Sequence, residues 1–324
     1  MLKNILCPLR SLLLTPPAGL VTLSLTEIGE VNNFSPDKLL EQLSLMPRLE
    51  VLRIGFGLFT EAPAERMQTM PPPIRTRVKL PRLRQFQFNG KSAYLVALLP
   101  RISTGHLEKL QIYISNWQTN SIPYALGLMN RSEDLRSHHV NLMFLDQGVF
   151  VKAIVSDGTK FTALSISFRG EDFTWQVASA AYFFHTHRAC FYTTRHLTIH
   201  CRMPASRQQH AGPDHMKWRR LFSVFCNVIA LLVYDGRHGE ISRSLQINNG
   251  ESGMELFPSL KKFSINPPLK YHNTYAPFIN ARKLAGHPVH VYGVGNAPLA
   301  VEVAIGCEAW EAHWLWGSFR LRLC

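Results

Sequence analysis

The sequence predicts an α/β fold: an irregular, open solenoid, a horseshoe with a parallel sheet on its concave side and helices on its convex side. Three observations predict it. In LPRLRQFQFNGKSAYLVALLPRISTGHLEKLQI (Leu80–Ile112), Leu83, Phe86 and Phe88 stand in the L-x-x-L-x-L pattern of a short strand. A helical run follows, with Tyr94/Leu98 and Leu95/Leu99 on one face and Pro100 as its stop. Leu107, Leu110 and Ile112 then restart the strand pattern, so strand, turn, helix, turn and strand form one leucine-rich repeat. Gly90 and Ser92 are read as the first turn, with Ser92 as the helix N-cap.

Other segments repeat the arrangement. Leu20, Leu23 and Leu25 give the first strand. Ser35-Pro36-Asp37 starts a helix, with a capping hydroxyl, a proline at the first helical position and an acid at the positive end of the dipole. Leu39, Leu40 and Leu43 form its buried stripe, and Pro47 ends it. Leu49, Leu52 and Ile54 form the second strand. Thr60–Thr76, with Pro71-Pro72-Pro73, is expected to be an exposed loop.

A less regular part follows. Val140, Leu142 and Phe144 alternate as a strand, with Phe150–Val155 pairing beside it. The pattern returns at Phe161, Leu164 and Ile166. Trp175, Ala178, Ser179, Tyr182 and Phe183 have helical spacing, and Leu197 and Ile199 mark the next strand. Trp218, Leu221, Phe222 and Phe225 are spaced i, i+3, i+4, i+7, an amphipathic helix. Val228, Leu231 and Val233, then Leu260, Phe263 and Ile265, supply further strands, and a last helix is expected near Phe278–Leu284. The intervals are uneven and no asparagine ladder follows the strands, which is why the solenoid is read as irregular. It spans residues 1–297. Residues 298–324, with Trp310, Trp314 and Trp316, form a tail that either caps the last open edge or is disordered.

Composition narrows the function classes. The 324 residues are 46% hydrophobic, in the ordinary globular range. The formal net charge of +13 favours acidic partners. Basic residues cluster in Arg66–Arg101, which contains no acid, and in Arg188–Arg220, where Asp214 stands alone. Such clusters suit an acidic or phosphorylated protein, or are simply the solvated faces of a basic protein. Nucleic acid is disfavoured, because no aromatic platform or nucleic-acid motif accompanies the charge.

The six cysteines are scattered without a C-x-x-C pair, which favours reduced thiols and an intracellular location, in cytoplasm or nucleus. Sequons at Asn33 and Asn130 carry little weight against that. The longest apolar run, Leu221–Tyr234, is too short and too polar to cross a bilayer, so no membrane association is expected.

In each L-x-x-L-x-L strand the residues between the anchors point away from the core, onto the concave face. The expected partner-binding residues there are Arg53, Gln85, Gln87, Asn89, Lys109, Gln111, Tyr113, His196, His200, Tyr234 and Lys262. This face is expected to be polar and to lack carboxylates.

Three chemical readings are set aside. Gly90-Lys91-Ser92 resembles the end of a phosphate-binding loop, but position 85 is glutamine where the first glycine belongs. His185, His187, Cys190, His196, His200 and Cys201 are a dense set of metal-ligand types. Yet His196 and His200 on one strand would lie about 13 Å apart, and His185 and His187 diverge at a helix end. No hydrolase or metalloprotease motif occurs. Neither an enzyme, a cofactor nor a metal is expected.

LTEIGEVNNFSPDKLLEQLSLMPRLEVLRIGF, the Leu80–Ile112 stretch, WRRLFSVFCNVIALLV and LFPSLKKFSI resemble the C-terminal repeat regions of a large fungal family of F-box-like proteins. The resemblance covers roughly residues 15–290, and MPRLEVLRI and SAYLVALLPRI are its most specific parts. It implies a leucine-rich solenoid acting as the substrate-recognition half of a ubiquitin-ligase adaptor. The family's F-box, which docks to the ligase's adaptor subunit, is not visible in Met1–Gly19. Binding of that subunit is therefore expected only if a fuller chain supplies the module. The alternative is a repeat scaffold or regulatory binder independent of ubiquitin.

Overall fold

The computed structural model describes residues 4–6, 19–28, 35–56, 77–105, 107–114, 136–156, 161–170, 172–202, 215–246, 256–266 and 268–293. The Thr60–Thr76 loop, the asparagines of both sequons and the tryptophan-rich tail lie outside them.

The described residues form a mixed α/β structure around a large, mostly parallel sheet of twelve strands. In chain order the strands are β1 (Asn4–Leu6), β2 (Thr22–Ile28), β3 (Val51–Phe56), β4 (Val78–Leu80), β5 (Gln85–Gly90), β6 (Ile102–Thr104), β7 (Lys109–Ile114) and β8 (Arg136–Leu145). They continue as β9 (Gly148–Ser156), β10 (Phe161–Arg169), β11 (His196–Arg202), β12 (Ala230–Asp235), β13 (Lys262–Asn266) and β14 (His290–Gly293). The sheet order is β1-β2-β3-β5-β7-β10-β9-β8-β11-β12-β13-β14, with β4 and β6 in a separate parallel pair. The sheet is open, with β1 and β14 at its two edges. Only β9 runs against its neighbours, antiparallel to both β8 and β10.

Seven α-helices connect the strands among the described residues: α1 (Pro36–Ser44), α2 (Ser92–Leu98), α3 (Phe173–Thr186), α4 (Arg188–Phe191), α5 (His215–Phe222), α6 (His238–Leu245) and α7 (Pro268–Leu284). Alternate strand residues such as Leu52, Ile54, Phe86, Phe88, Leu110 and Ile112 are buried in one core with helix residues Leu39, Leu43, Leu95 and Leu98. The same core continues through Leu164, Ile166, Leu197, Ile199, Leu231 and Val233 to Val177, Phe184, Trp218, Ile241 and Tyr275. Strand periodicity two and helical periodicity near 3.6 thus converge on one side of the sheet. None of these helices is long and apolar enough to cross a membrane.

Local chemistry accounts for the helix starts. Lys38 N donates to Ser35 Oγ at 3.3 Å, Pro36 opens α1, and Asp37 in its first turn pairs with Arg101. Asp172 caps α3 by accepting from Thr174 N at 3.0 Å and Trp175 N at 3.2 Å.

Several expectations need correction. The N-cap of α2 is Lys91, not Ser92, which is the first helical residue and buried. The α-helix does stop ahead of Pro100, at Leu98, and a 3-10 turn, Leu99–Arg101, carries the chain on. Gly90 is the last residue of β5 rather than part of a turn; a Cβ there would lie 2.5 Å from the Phe56 ring. Phe225 is buried but lies beyond α5, in a turn where its N donates to Phe222 O at 3.0 Å.

Candidate binding surface

Residues between the core anchors project from the sheet face opposite the helices, and strand register aligns them in rows. The first row runs from Gln85 and Lys109 on β5 and β7 to His139 and His196 on β8 and β11, then Lys262 and His290. The second contains Arg53, Gln87, Gln111, Ser165, Lys152 and Asn141. The third contains Asn89 and Tyr113, then Phe150, Met143, His200 and Tyr234.

Five of the expected residues come together. Arg53, Gln85, Gln87, Lys109 and Gln111, with Val51, line a hollow of ≈ 40 Å³. Partial burial lowers the Lys109 ammonium pKa below its ordinary value, and the neighbouring charges of Arg53 and Lys152 lower it further. A site that strains a cation in this way gains when an anion arrives, because the anion relieves the repulsion. On β3, β5, β7, β8 and β9 no aspartate or glutamate occupies a position of this face. Glu108 lies just before β7 and forms an exposed ion pair with Arg84 at 3.4 Å.

The remaining expected residues fall into smaller groups. His196 stacks beside His139, with ring centroids 6.0 Å apart and planes 15° from parallel. Burial first, then the charges of Lys262 and Arg195 and the His138 ring, hold His196 below the ordinary histidine value. His139 is lowered by burial, then by His196 and Lys152. His200 and Tyr234 stack at 4.5 Å and 8°. Asn89 is exposed, opposite Tyr113 in the register.

The face is less polar and less solvated than expected. Gln111 and Tyr113 are both buried, and Gln111 Nε2 donates to Tyr113 Oη at 3.4 Å. Burial raises the Tyr113 hydroxyl pKa, so it stays protonated. Ser165, Thr198 and Ser264 are buried as well. For these three short side chains, strands about 4.8 Å apart let longer neighbours in the next strand shade them.

Four contributors were missed: Lys152, Phe150, Met143 and His139, all on the β8–β9 hairpin. Their signal was available in the alternation of buried Val149, Val151 and Ala153, which places Phe150 and Lys152 on the other face.

Among the described residues no group of three or more His, Cys, Asp or Glu is arranged to hold a metal. His196 and His200 each stack with a ring on another strand instead. Cys190 and Cys201 are buried and in no disulfide, and burial raises the Cys190 pKa. No protein family, curated protein or solved structure matches the chain.

Proposed function

We propose that this chain is an irregular leucine-rich-repeat solenoid, non-enzymatic, whose strand-lined concave face binds an acidic protein segment. The observation that carries the reading is the bank of Arg53, Lys109 and Lys152 on β3, β7 and β9, whose positions on this face include no carboxylate. The glutamines between the cations can each both donate and accept hydrogen bonds, which suits carboxylates and peptide groups. A single exposed ion pair contributes about 0–1 kcal/mol. Affinity must therefore come from several cations acting together, and it should fall with salt. By its resemblance to the fungal F-box-like proteins, the role is substrate recognition for a ubiquitin ligase in the cytoplasm or nucleus.

The test is binding of a fluorescent polyglutamate peptide to the wild type and to an Arg53→Glu, Lys109→Glu, Lys262→Glu triple variant. The proposal expects salt-sensitive binding to the wild type and its loss in the variant. Equal binding by both proteins would overturn it. Co-purification with a ligase adaptor subunit tests the ubiquitin role separately.

A further inference from the structure

Beside the cationic bank lies a strip of different chemistry. Phe150 on β9 stands opposite Met143 on β8, Met143 opposite His200 on β11, and His200 opposite Tyr234 on β12. All four are half-buried. The sheet does not need apolar groups here, because on these same strands Val151, Leu142, Ile199 and Val233 supply the core from the other side. A single exposed apolar residue is ordinary, but a contiguous set across four adjacent strands marks a contact surface. The His200–Tyr234 stack also holds its two rings in place before any ligand arrives, which reduces the ordering cost of binding.

We propose that this face reads a bipartite acidic segment, with carboxylates on the Arg53–Lys109–Lys152 bank and one aromatic or long aliphatic side chain on the Phe150–Met143–His200–Tyr234 strip. This rests on the acidic-partner reading above and specifies its ligand. The two parts are close enough for one short segment. Lys152 and Phe150 are two residues apart on β9 and share a face, about 7 Å from one another, a span that two residues of an extended peptide cover. Charge favours an acidic segment over a neutral one. Ring geometry favours peptide over single-stranded nucleic acid: His200 and Tyr234 stack on each other at 4.5 Å, so one face of each ring is already covered and not open to a stacking base.

The test is fluorescence anisotropy on the full chain with three labelled probes. One is a short Glu/Asp peptide with a central Phe, the second the same peptide with Ala in that place, and the third an oligo-dT of similar charge. The Phe peptide is expected to bind about tenfold more tightly than the Ala peptide, as partial burial of one ring supplies. Phe150→Ser should erase that difference, and Lys152→Glu should weaken both peptides. His200→Ser serves the same purpose should Phe150→Ser fail to fold by circular dichroism. Equal binding of the two peptides overturns the bipartite ligand while leaving the acidic-partner reading intact. Absence of binding by both peptides overturns both, and tighter binding of oligo-dT reassigns the face to nucleic acid.

Discussion

His139 and His196 stand ring against ring on neighbouring parallel strands, 6.0 Å between centroids, with the charges of Lys152, Lys262 and Arg195 and the His138 ring around them. Both titrate below the ordinary histidine value, mainly because they are partly buried and secondarily because these basic neighbours disfavour further positive charge. At neutral pH the pair is therefore uncharged. A bound acidic segment would favour protonation, so binding and proton uptake are linked, and affinity should rise as pH falls below about 6.5. The expected outcome is several-fold tighter binding of the acidic peptide at pH 5.5 than at pH 7.5. A His139→Asn, His196→Asn double variant should lose that gain, and an unchanged pH profile in it would sink the argument.

His187 makes the opposite kind of prediction, about stability. Its ring is buried beside Phe183, at 5.2 Å between centroids, and Nε2 has no hydrogen-bond partner. Burial pushes its pKa down to about 4. The unfolded chain, with a histidine near 6.5, binds the proton more readily, so stability falls as pH drops from about 6.5 towards 4 and levels off below that. The full contribution is about 3 kcal/mol. Urea unfolding at several pH values should show this loss in the wild type and a shallower one in His187→Phe.

Much of the sheet was legible in the sequence because L-x-x-L-x-L fixes both the strand and its buried face; Arg53, Gln87 and Lys109 followed from that alone. Direction was not legible. Alternation in Val149, Val151 and Ala153 is the same whether a strand runs up or down, so the reversal of β9 stayed hidden, and with it the rows that Phe150 and Lys152 join. Two helices were obscured for separate reasons. In α6, HGEISRSL offers only Ile241 and Leu245 as large apolar anchors. In α7, Pro277 lies inside the helix, so only its end past the proline was expected.

Arg282 tests the far end of the fold. It is wholly buried near the end of α7, where Nη1 donates to the carbonyl of Phe257 and Nη2 to that of Leu260, each at 3.1 Å. Burial lowers its pKa, but the guanidinium stays charged near neutrality and ties the helix to the turn before β13. Arg282→Met should take a donor from each carbonyl, leaving that of Phe257 with only the Leu260 N–H at 3.0 Å, and cost about 2–4 kcal/mol. Denaturant midpoints would measure it, and a variant as stable as the wild type would show that the carbonyls find other partners.

Gly148 links the fold to the proposed surface. It begins β9 directly after the Asp146-Gln147 turn, paired with Leu145 on one side and Arg169 on the other. A Cβ at this position would lie 2.2 Å from the Phe168 carbonyl oxygen. That atom belongs to the backbone of β10 and cannot rotate aside, so Gly148→Ala must push β9 away from β10. The expected loss is roughly 2–4 kcal/mol, within the range of backbone clashes in a buried sheet. Because β9 carries both Phe150 and Lys152, the variant should also bind the acidic Phe peptide more weakly under conditions where it remains folded. Gly19→Ala is the matched control, since nothing lies within 4 Å of a Cβ there. Its stability should stay within about 0.5 kcal/mol of the wild type. Thermal melts and peptide titrations on the two variants decide the matter: a Gly148→Ala protein as stable as the control would mean that the two strands separate at little cost.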